Sequence, residues 1–230
     1  MQGKIITIEG SDGVGKSTQI RLLTQKLTSL AIPHKFIHFP MLNQGVYGKL
    51  IAEYLRGELG SIENVAPKLV ALLFAEDRNE HKAQLNQWLD EGYFIIMDRY
   101  VYSNIAYQCA KTEGIDNKEI LKQWILDFEF KHNKLPKTSL NFFLNVPFNF
   151  IKKNLSKIRK GKDRDYLNGK TDIHEDSLSL QETVLKEYQC LLKDQNDFLE
   201  IKCFSEEGEW LESSVIHEKI FIEVEKLLRG

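Results

Sequence analysis

Residues 10–17 read Gly-Ser-Asp-Gly-Val-Gly-Lys-Ser, a complete G-x-x-x-x-G-K-[ST] pattern set directly after the apolar run 4–9 and before a helical pattern. In such a loop the glycines let successive backbone N–H groups turn inward around a nucleotide β-phosphate. Lys16 then reaches the β- and γ-phosphates, and the Ser17 hydroxyl is placed to ligate Mg²⁺. The candidate ATP-binding residues are Gly10, Ser11, Asp12, Gly13, Val14, Gly15, Lys16, Ser17 and Thr18. At ordinary glycine usage the four fixed positions match by accident in roughly one chain of this length in a hundred.

Two further groups could work with that loop. Asp98 ends the run Tyr-Phe-Ile-Ile-Met and precedes Arg99 and Tyr100. A strand-terminal carboxylate in this position helps hold Mg²⁺ in phosphate-loop enzymes, and Arg99 beside it would clamp a transferring phosphate. Asp98 could equally cap a helix, and Arg99 could be a surface ion pair. Phe74 and Arg78 stand four apart on a helical pattern, so they share a face. An aromatic ring there can stack on a base while the guanidinium donates hydrogen bonds, although Leu69, Leu72, Leu73 and Phe74 would also serve as plain core.

Positioning these groups requires a scaffold. Short apolar or β-branched runs recur at 4–9, 35–39, 93–98, 139–145 and 199–204, and helical periodicity marks 16–30, 46–55, 65–92, 101–109, 118–131, 147–158, 177–194 and 214–228. This alternation predicts an α/β fold, a doubly wound parallel sheet of five strands covered by helices on both faces. Right-handed crossovers would place the loops after the strands on one edge, so that Gly10, Phe39, Asp98 and Asn145 open into one cleft. With 230 residues, 42% of them hydrophobic, a single domain over 1–230 is expected, with a charged, mobile insertion at about 157–176. Lys+Arg number 31 against 33 Asp+Glu, which gives no global electrostatic footing for nucleic acid or a membrane surface. Cys109, Cys190 and Cys203 are odd in number and far apart, which suggests neither a disulfide framework nor a zinc site. No leader-like or membrane-spanning run is found, so a reducing cytoplasm is the expected compartment.

Together the residues resemble the thymidylate kinase family. The resemblance rests on the phosphate loop with Asp12 in it, Phe39-Pro40 after the second strand, Phe74 to Arg78, Asp98-Arg99-Tyr100 followed by Ser103, Asn104 and Tyr107, and Asp163-Arg164 in the charged insertion. It runs from Lys4 to about Tyr188. It implies γ-phosphoryl transfer from ATP to dTMP with Mg²⁺ held by Ser17 and Asp98. Phe74 is similar to the residue that stacks on thymine, and Arg78 to the arginine that touches the base and the acceptor end. Asn104 resembles a reader of the pyrimidine edge, and Tyr107 sits where a ribose 2′-OH would be crowded. Asp12 resembles the carboxylate that engages the sugar 3′-OH, and Arg99 the grip on the dTMP phosphate. With Phe39, Pro40 and Ser103 they complete the implied acceptor site, and Phe39-Pro40 resembles a dipeptide often found with a cis bond.

The insertion, with Arg159, Lys160, Lys162 and Arg164, resembles a lid that closes over ATP. Gly13 stands where some members carry a basic residue, which points to Arg159 and Arg164 as the transition-state cations. The implied catalytic set is Asp12, Lys16, Arg99, Arg159 and Arg164. An anionic phosphate acceptor needs no strong general base, so positioning and charge stabilisation would suffice. The resemblance also implies a homodimer, with small-molecule nucleotides as partners.

Several positions depart from the family pattern. Met41 occupies the place of a usual arginine, residues 169–175 form a longer and more polar lid tail, and Cys203 to Ser214 either caps the adenine or covers the sheet edge. His174 reads as a capping or lid-packing residue rather than an acid or base. A deoxyribonucleoside kinase would need a carboxylate just after the second strand, where Phe39-Pro40-Met41-Leu42-Asn43 offers none. A GTPase-like switch would need N-K-x-D after a strand, and Leu144-Asn145-Val146-Pro147 does not supply it.

Overall fold

Five short runs rich in Ile, Phe and Leu form one all-parallel sheet in the computed structural model, which describes residues 3–156, 162–195 and 197–229. The strands are β1 (Lys4–Glu9), β2 (His34–His38), β3 (Phe94–Asp98), β4 (Leu140–Asn145) and β5 (Phe198–Lys202), in the order β2-β3-β1-β4-β5. Ile5 lies opposite Ile95 and Ile8 opposite Phe142, so the three central strands put apolar side chains on both faces. Such continuous runs suit a sheet buried on both sides. Helices supply the cover, and all five strands fall within two residues of the sequence expectation.

The connections set the site. Helix α1 (Lys16–Ser29) starts directly after Gly15, whose φ of 91° is a left-handed value that glycine adopts without steric cost. Helix α2 (Tyr47–Leu55) follows β2 and the cis Phe39–Pro40 bond. The single helix expected over 65–92 is two, α3 (Pro67–Glu80) and α4 (Lys82–Asp90), separated at His81 with φ −101° and ψ 1°. The break has a packing reason: α3 lies against α2 and α5 (Val101–Ala110), whereas α4 must turn to lay Leu85 on β3.

The helix expected over 118–131 also changes character. It runs as α6 (Ile115–Leu126) and then widens into a π turn at Asp127–His132. Helix α7 (Phe148–Leu155) precedes the charged insertion, and the 3₁₀ turn Lys162–Leu167 lies within it. The short α8 (Ile173–Asp176) is capped by Asp172, which accepts from the His174 and Glu175 amides. Ser177 Oγ accepts from Leu180 N at the start of α9 (Leu178–Asp194). Helix α10 (Ser213–Arg229) closes the described chain.

A second, smaller apolar cluster joins Ile51, Tyr54 and Leu55 of α2 to Val70, Leu73 and Phe74 of α3. Tyr166 and Ile173, from the stretch expected to form a lid, pack into the same cluster.

Candidate active site

The C-terminal ends of β1, β2 and β3 open into one cavity of about 1530 Å³. That exceeds the roughly 300–1,000 Å³ typical of a single small-ligand pocket. One end is lined by Asp12, Gly13, Gly15, Lys16, Ser17 and Thr18, with Asp98. The other end is lined by Phe39, Pro40, Phe74, Arg78, Ser103, Asn104 and Tyr107, with Arg99 between them. Phosphate-loop and acceptor-side residues of the sequence reading thus share one space. Gly10, Ser11 and Val14 do not line the cavity, Ser11 and Val14 being buried, and Asn145 turns away to donate to Glu200 Oε1 at 2.6 Å. The loop after β4 therefore departs from the expected common cleft.

At the phosphate end Lys16 Nζ donates to the carbonyls of Gly10 at 3.2 Å and Ser11 at 2.9 Å. Burial, together with the Arg99 charge, pulls its ammonium down to about 8. Asp98 Oδ1 and Ser11 Oγ are buried with no partner among the described residues. Asp98 Oδ2 lies 3.3 Å from His38 Nδ1. Burial pushes the Asp98 carboxyl up, but the His38 hydrogen bond and the Lys16 charge outweigh it and hold the group below its ordinary range.

Arg99 is the hub. Its backbone sits at φ 66°, an uncommon left-handed conformation for a side chain of this size, and its amide donates to Ile8 O at 3.2 Å. Nη2 donates to Asp12 Oδ1 at 2.8 Å and to the Tyr107 hydroxyl at 3.1 Å, while Nη1 reaches Ser103 Oγ at 3.1 Å. Asp12 also accepts from Tyr107 at 2.7 Å and from Gln181 Nε2 at 2.9 Å. Beneath this layer Glu9 accepts from Tyr100 N at 2.7 Å, Ser103 Oγ at 2.5 Å and the Tyr188 hydroxyl at 3.1 Å. Burial pushes the Glu9 carboxyl up despite those bonds and the Arg99 charge.

At the opposite end Arg78 is ion-paired with Glu129, through Nε at 2.7 Å and Nη2 at 2.5 Å. Asn104 Nδ2 donates to Glu129 and to Ala71 O, each at 3.0 Å, leaving Asn104 Oδ1 buried with no partner among the described residues. Gln108 Oε1 is in the same condition and lines the same cavity. Met41 reaches the site through its backbone, its amide donating to Asp77 Oδ2 at 3.1 Å.

Of the lid residues, Arg159 and Lys160 lie outside the described residues, and Arg164 is described only as part of the turn Lys162–Leu167. Tyr166, Asp172, His174 and Glu175 line the cavity, and Arg56 Nη1 donates to Tyr166 O at 2.7 Å. Trp210, across an antiparallel bridge from Phe204, stands edge-on to Phe150 at 5.2 Å and beside Gly15.

The family model described as thymidylate kinase matches residues 8–212, most of the chain. This chain belongs to the thymidylate kinase family. It is 34% identical over 149 residues to the thymidylate kinase of Plasmodium falciparum, covering 65% of this chain and 64% of that one. To a probable thymidylate kinase of Methanococcus maripaludis it is 32% identical, covering 84% of this chain and 80% of the relative. The solved structure of thymidylate kinase from Candida albicans superposes with a TM-score of 0.68 at 28% identity, covering 98% and 92% of the two chains. The chain spans less than two thirds of the length of the first curated relatives it matches.

Sequence reasoning missed Glu9, His38, Gln108, Glu129, Gln181 and Tyr188. Glu9 carried a signal, since a charged residue ending a strand of Ile and Thr must find partners when buried. Glu129 carried another, standing between Phe128 and Phe130. Gln181 and Tyr188 share the buried stripe of α9 with Val184 and Leu185, and nothing in the sequence marks them off from it.

Proposed function

We propose that this chain transfers the γ-phosphoryl group of ATP to dTMP, giving dTDP and ADP. The observation that carries the reading is one cavity that joins the phosphate-loop residues Asp12, Lys16 and Ser17 to Phe74, Arg78, Asn104 and Tyr107 by way of Arg99. Family membership supports the same acceptor. Phe74 gives a ring for the base, Asn104 an unmatched acceptor for its edge, and Tyr107 with Asp12 the sugar contacts. Arg99 turns from Asp12 to the acceptor phosphate when that phosphate arrives. Phe39, Pro40 and Ser103 complete the acceptor wall. Because a phosphate monoester is already anionic at neutral pH, no base has to remove a proton before attack.

Mg²⁺ fits this site. Ser17 and the unpartnered Asp98 Oδ1 face one cavity, and no group of three or more His, Cys, Asp or Glu suited to a metal ion occurs among the described residues. A cation carried mainly by phosphate oxygens and water needs only such a pair. Bound there, Mg²⁺ would neutralise charge on the β- and γ-phosphates. Lys16 holds the same phosphates, and Gly13 leaves room beside them for lid cations, of which Arg159 and Arg164 are the candidates. An arginine so used contributes about 10³-fold or more in rate. The insertion at 157–176 acts as a lid on a single domain, whose closure excludes water.

The assembly we propose is a homodimer in the cytoplasm, with nucleotides as its small-molecule partners. Exposed Leu69 on α3 and Ile120 on α6 suit such a pairing, and no described helix is long and apolar enough to cross a membrane.

The test is ADP release with Mg-ATP and dTMP, thymidine, UMP or no acceptor, with Lys16→Ala as the blank. Release with dTMP and not with thymidine is the expected result. Release with thymidine, or release that needs no acceptor, would remove the acceptor assignment and leave only the ATP half.

A further inference from the structure

The lid tail reaches the sugar end of the cavity through one side chain. His174 is 5% exposed, and its ring stacks on Tyr107 with centroids 5.3 Å apart and planes 26° apart. The same ring meets Tyr54 edge-on at 5.5 Å, and its Nε2 lies 3.3 Å from the Tyr54 hydroxyl. That hydroxyl also takes a hydrogen bond from Lys111 Nζ at 3.1 Å. On its far side Tyr107 is held by Asp12 at 2.7 Å. Gln181 Nε2 ties the same tail to the same carboxylate, donating to His174 O at 3.1 Å and Asp12 Oδ2 at 2.9 Å.

Tyr107 is therefore clamped between the phosphate loop and the lid tail. Its hydroxyl is held by Asp12 and Arg99, and its ring has two neighbours, the Arg99 guanidinium 5.0 Å from its centroid and the stacked His174 ring. An aromatic ring braced on one face only can tilt, whereas one packed on a second ring cannot do so without opening a void. We propose that His174 is a positioning residue for sugar selection: by bracing Tyr107 it keeps that ring where an acceptor 2′-hydroxyl would have to sit. Through that contact the tail completes the wall of the acceptor pocket. This rests on the dTMP kinase reading, in which Tyr107 faces the sugar.

The test compares dTMP with 5-methyluridine 5′-monophosphate, which differs from it only at the 2′ carbon. Kinetics would be measured on the full chain, His174→Ala, His174→Phe and the lid-tail control Lys170→Ala, with the KM for Mg-ATP read in parallel. Lys170 donates to Glu58 at 2.9 Å and tethers the tail without touching Tyr107. His174→Ala should raise the KM for dTMP about tenfold with kcat within about twofold, and raise the ribo-to-deoxy ratio of kcat/KM about tenfold. His174→Phe keeps a stacking plane and should return that ratio to within about twofold of the unaltered chain. Where His174→Ala fails to fold, His174→Leu, which fills the space without a ring, carries the same expectation. A ratio unmoved in a folded Ala or Leu variant overturns the inference, as does an equal shift in Lys170→Ala. An unaltered chain inactive on dTMP would defeat the functional reading, and this inference with it; an active chain with an invariant ratio defeats the inference alone.

Discussion

Arg78 and Glu129 form a two-pronged ion pair, 2.7 and 2.5 Å, with side chains only 2% and 0% exposed. The pair holds the guanidinium at the wall of the cavity through Nε and Nη2, and Nη1 has no partner among the described residues. Removing Glu129 would strand a buried cation and leave Asn104 Nδ2 with one acceptor in place of two. Breaking one partner of such a pair costs about 3–5 kcal/mol. Glu129→Ala should therefore lower the urea midpoint by an amount equivalent to that loss, and Glu129→Gln by less. A change under about 1 kcal/mol would show that the pair is not fully desolvated in solution.

The ion pair also shows what could be read from the sequence. The four-residue spacing of Phe74 and Arg78 puts them on one helical face, and both line the cavity. That Arg78 spends two of its donor positions on a glutamate 51 residues away could not be read, because the partner is delivered by a π turn that no local pattern announces. The phosphate loop, by contrast, is contiguous in the chain, so its geometry follows from glycine placement alone. The five strands were legible for the same reason, as runs of apolar residues bounded by polar ones. What escaped were groups contributed from a distance, such as Gln181 beneath Asp12, and the break at His81, where packing of two helix halves on different partners overrides a continuous helical pattern.

His38 sets up a second prediction. It is 45% exposed, yet its Nδ1 sits 3.3 Å from Asp98 Oδ2, so its loss should not disturb the core. Partners that orient a ligating carboxylate typically affect metal affinity by about 10–100-fold. In His38→Ala the Mg²⁺ concentration needed for half-maximal binding to the ATP-loaded chain should rise about tenfold, and His38→Gln, which keeps a donor, should recover part of that. Calorimetric titration of Mg²⁺ measures it. Identical Mg²⁺ isotherms for the three proteins would show that His38 does not orient Asp98.

Asp172 should make stability depend on pH. Burial pushes its carboxyl up to about 7, against the hydrogen bond from Tyr166, and the charges of Asp12 and Glu175 push the same way. Its folded value is thus above the unfolded one, so the native state binds more protons between the two and stability falls as pH rises through that window. Asp77, raised by burial to about 6, adds to the fall in the lower part of the range. The unfolding free energy should drop by roughly 2–4 kcal/mol between about pH 5 and pH 7.5. Asp172→Asn keeps an oxygen to cap the His174 and Glu175 amides but does not titrate, so its curve should be shallower. Parallel curves for the two proteins would remove Asp172 as the source.

Base selection can be argued from two orphaned oxygens. Asn104 Oδ1 and Gln108 Oε1 are both buried, both without a partner among the described residues, and both on residues that line the same cavity as Phe74. An acceptor left unmatched inside a protein costs about 1–3 kcal/mol, which a ligand N–H can recover. Thymine and uracil present such a donor at N3, whereas cytosine presents a lone pair there and would face like against like. dTMP should accordingly be preferred to dCMP by about 10²-fold or more in kcat/KM. Replacing Gln108 by Leu removes one oxygen together with its unmet need, so it should weaken dTMP by about tenfold while affecting dCMP little. Competition kinetics with the two monophosphates would decide it: a preference that survives undiminished in Gln108→Leu assigns the reading of N3 to Asn104 alone.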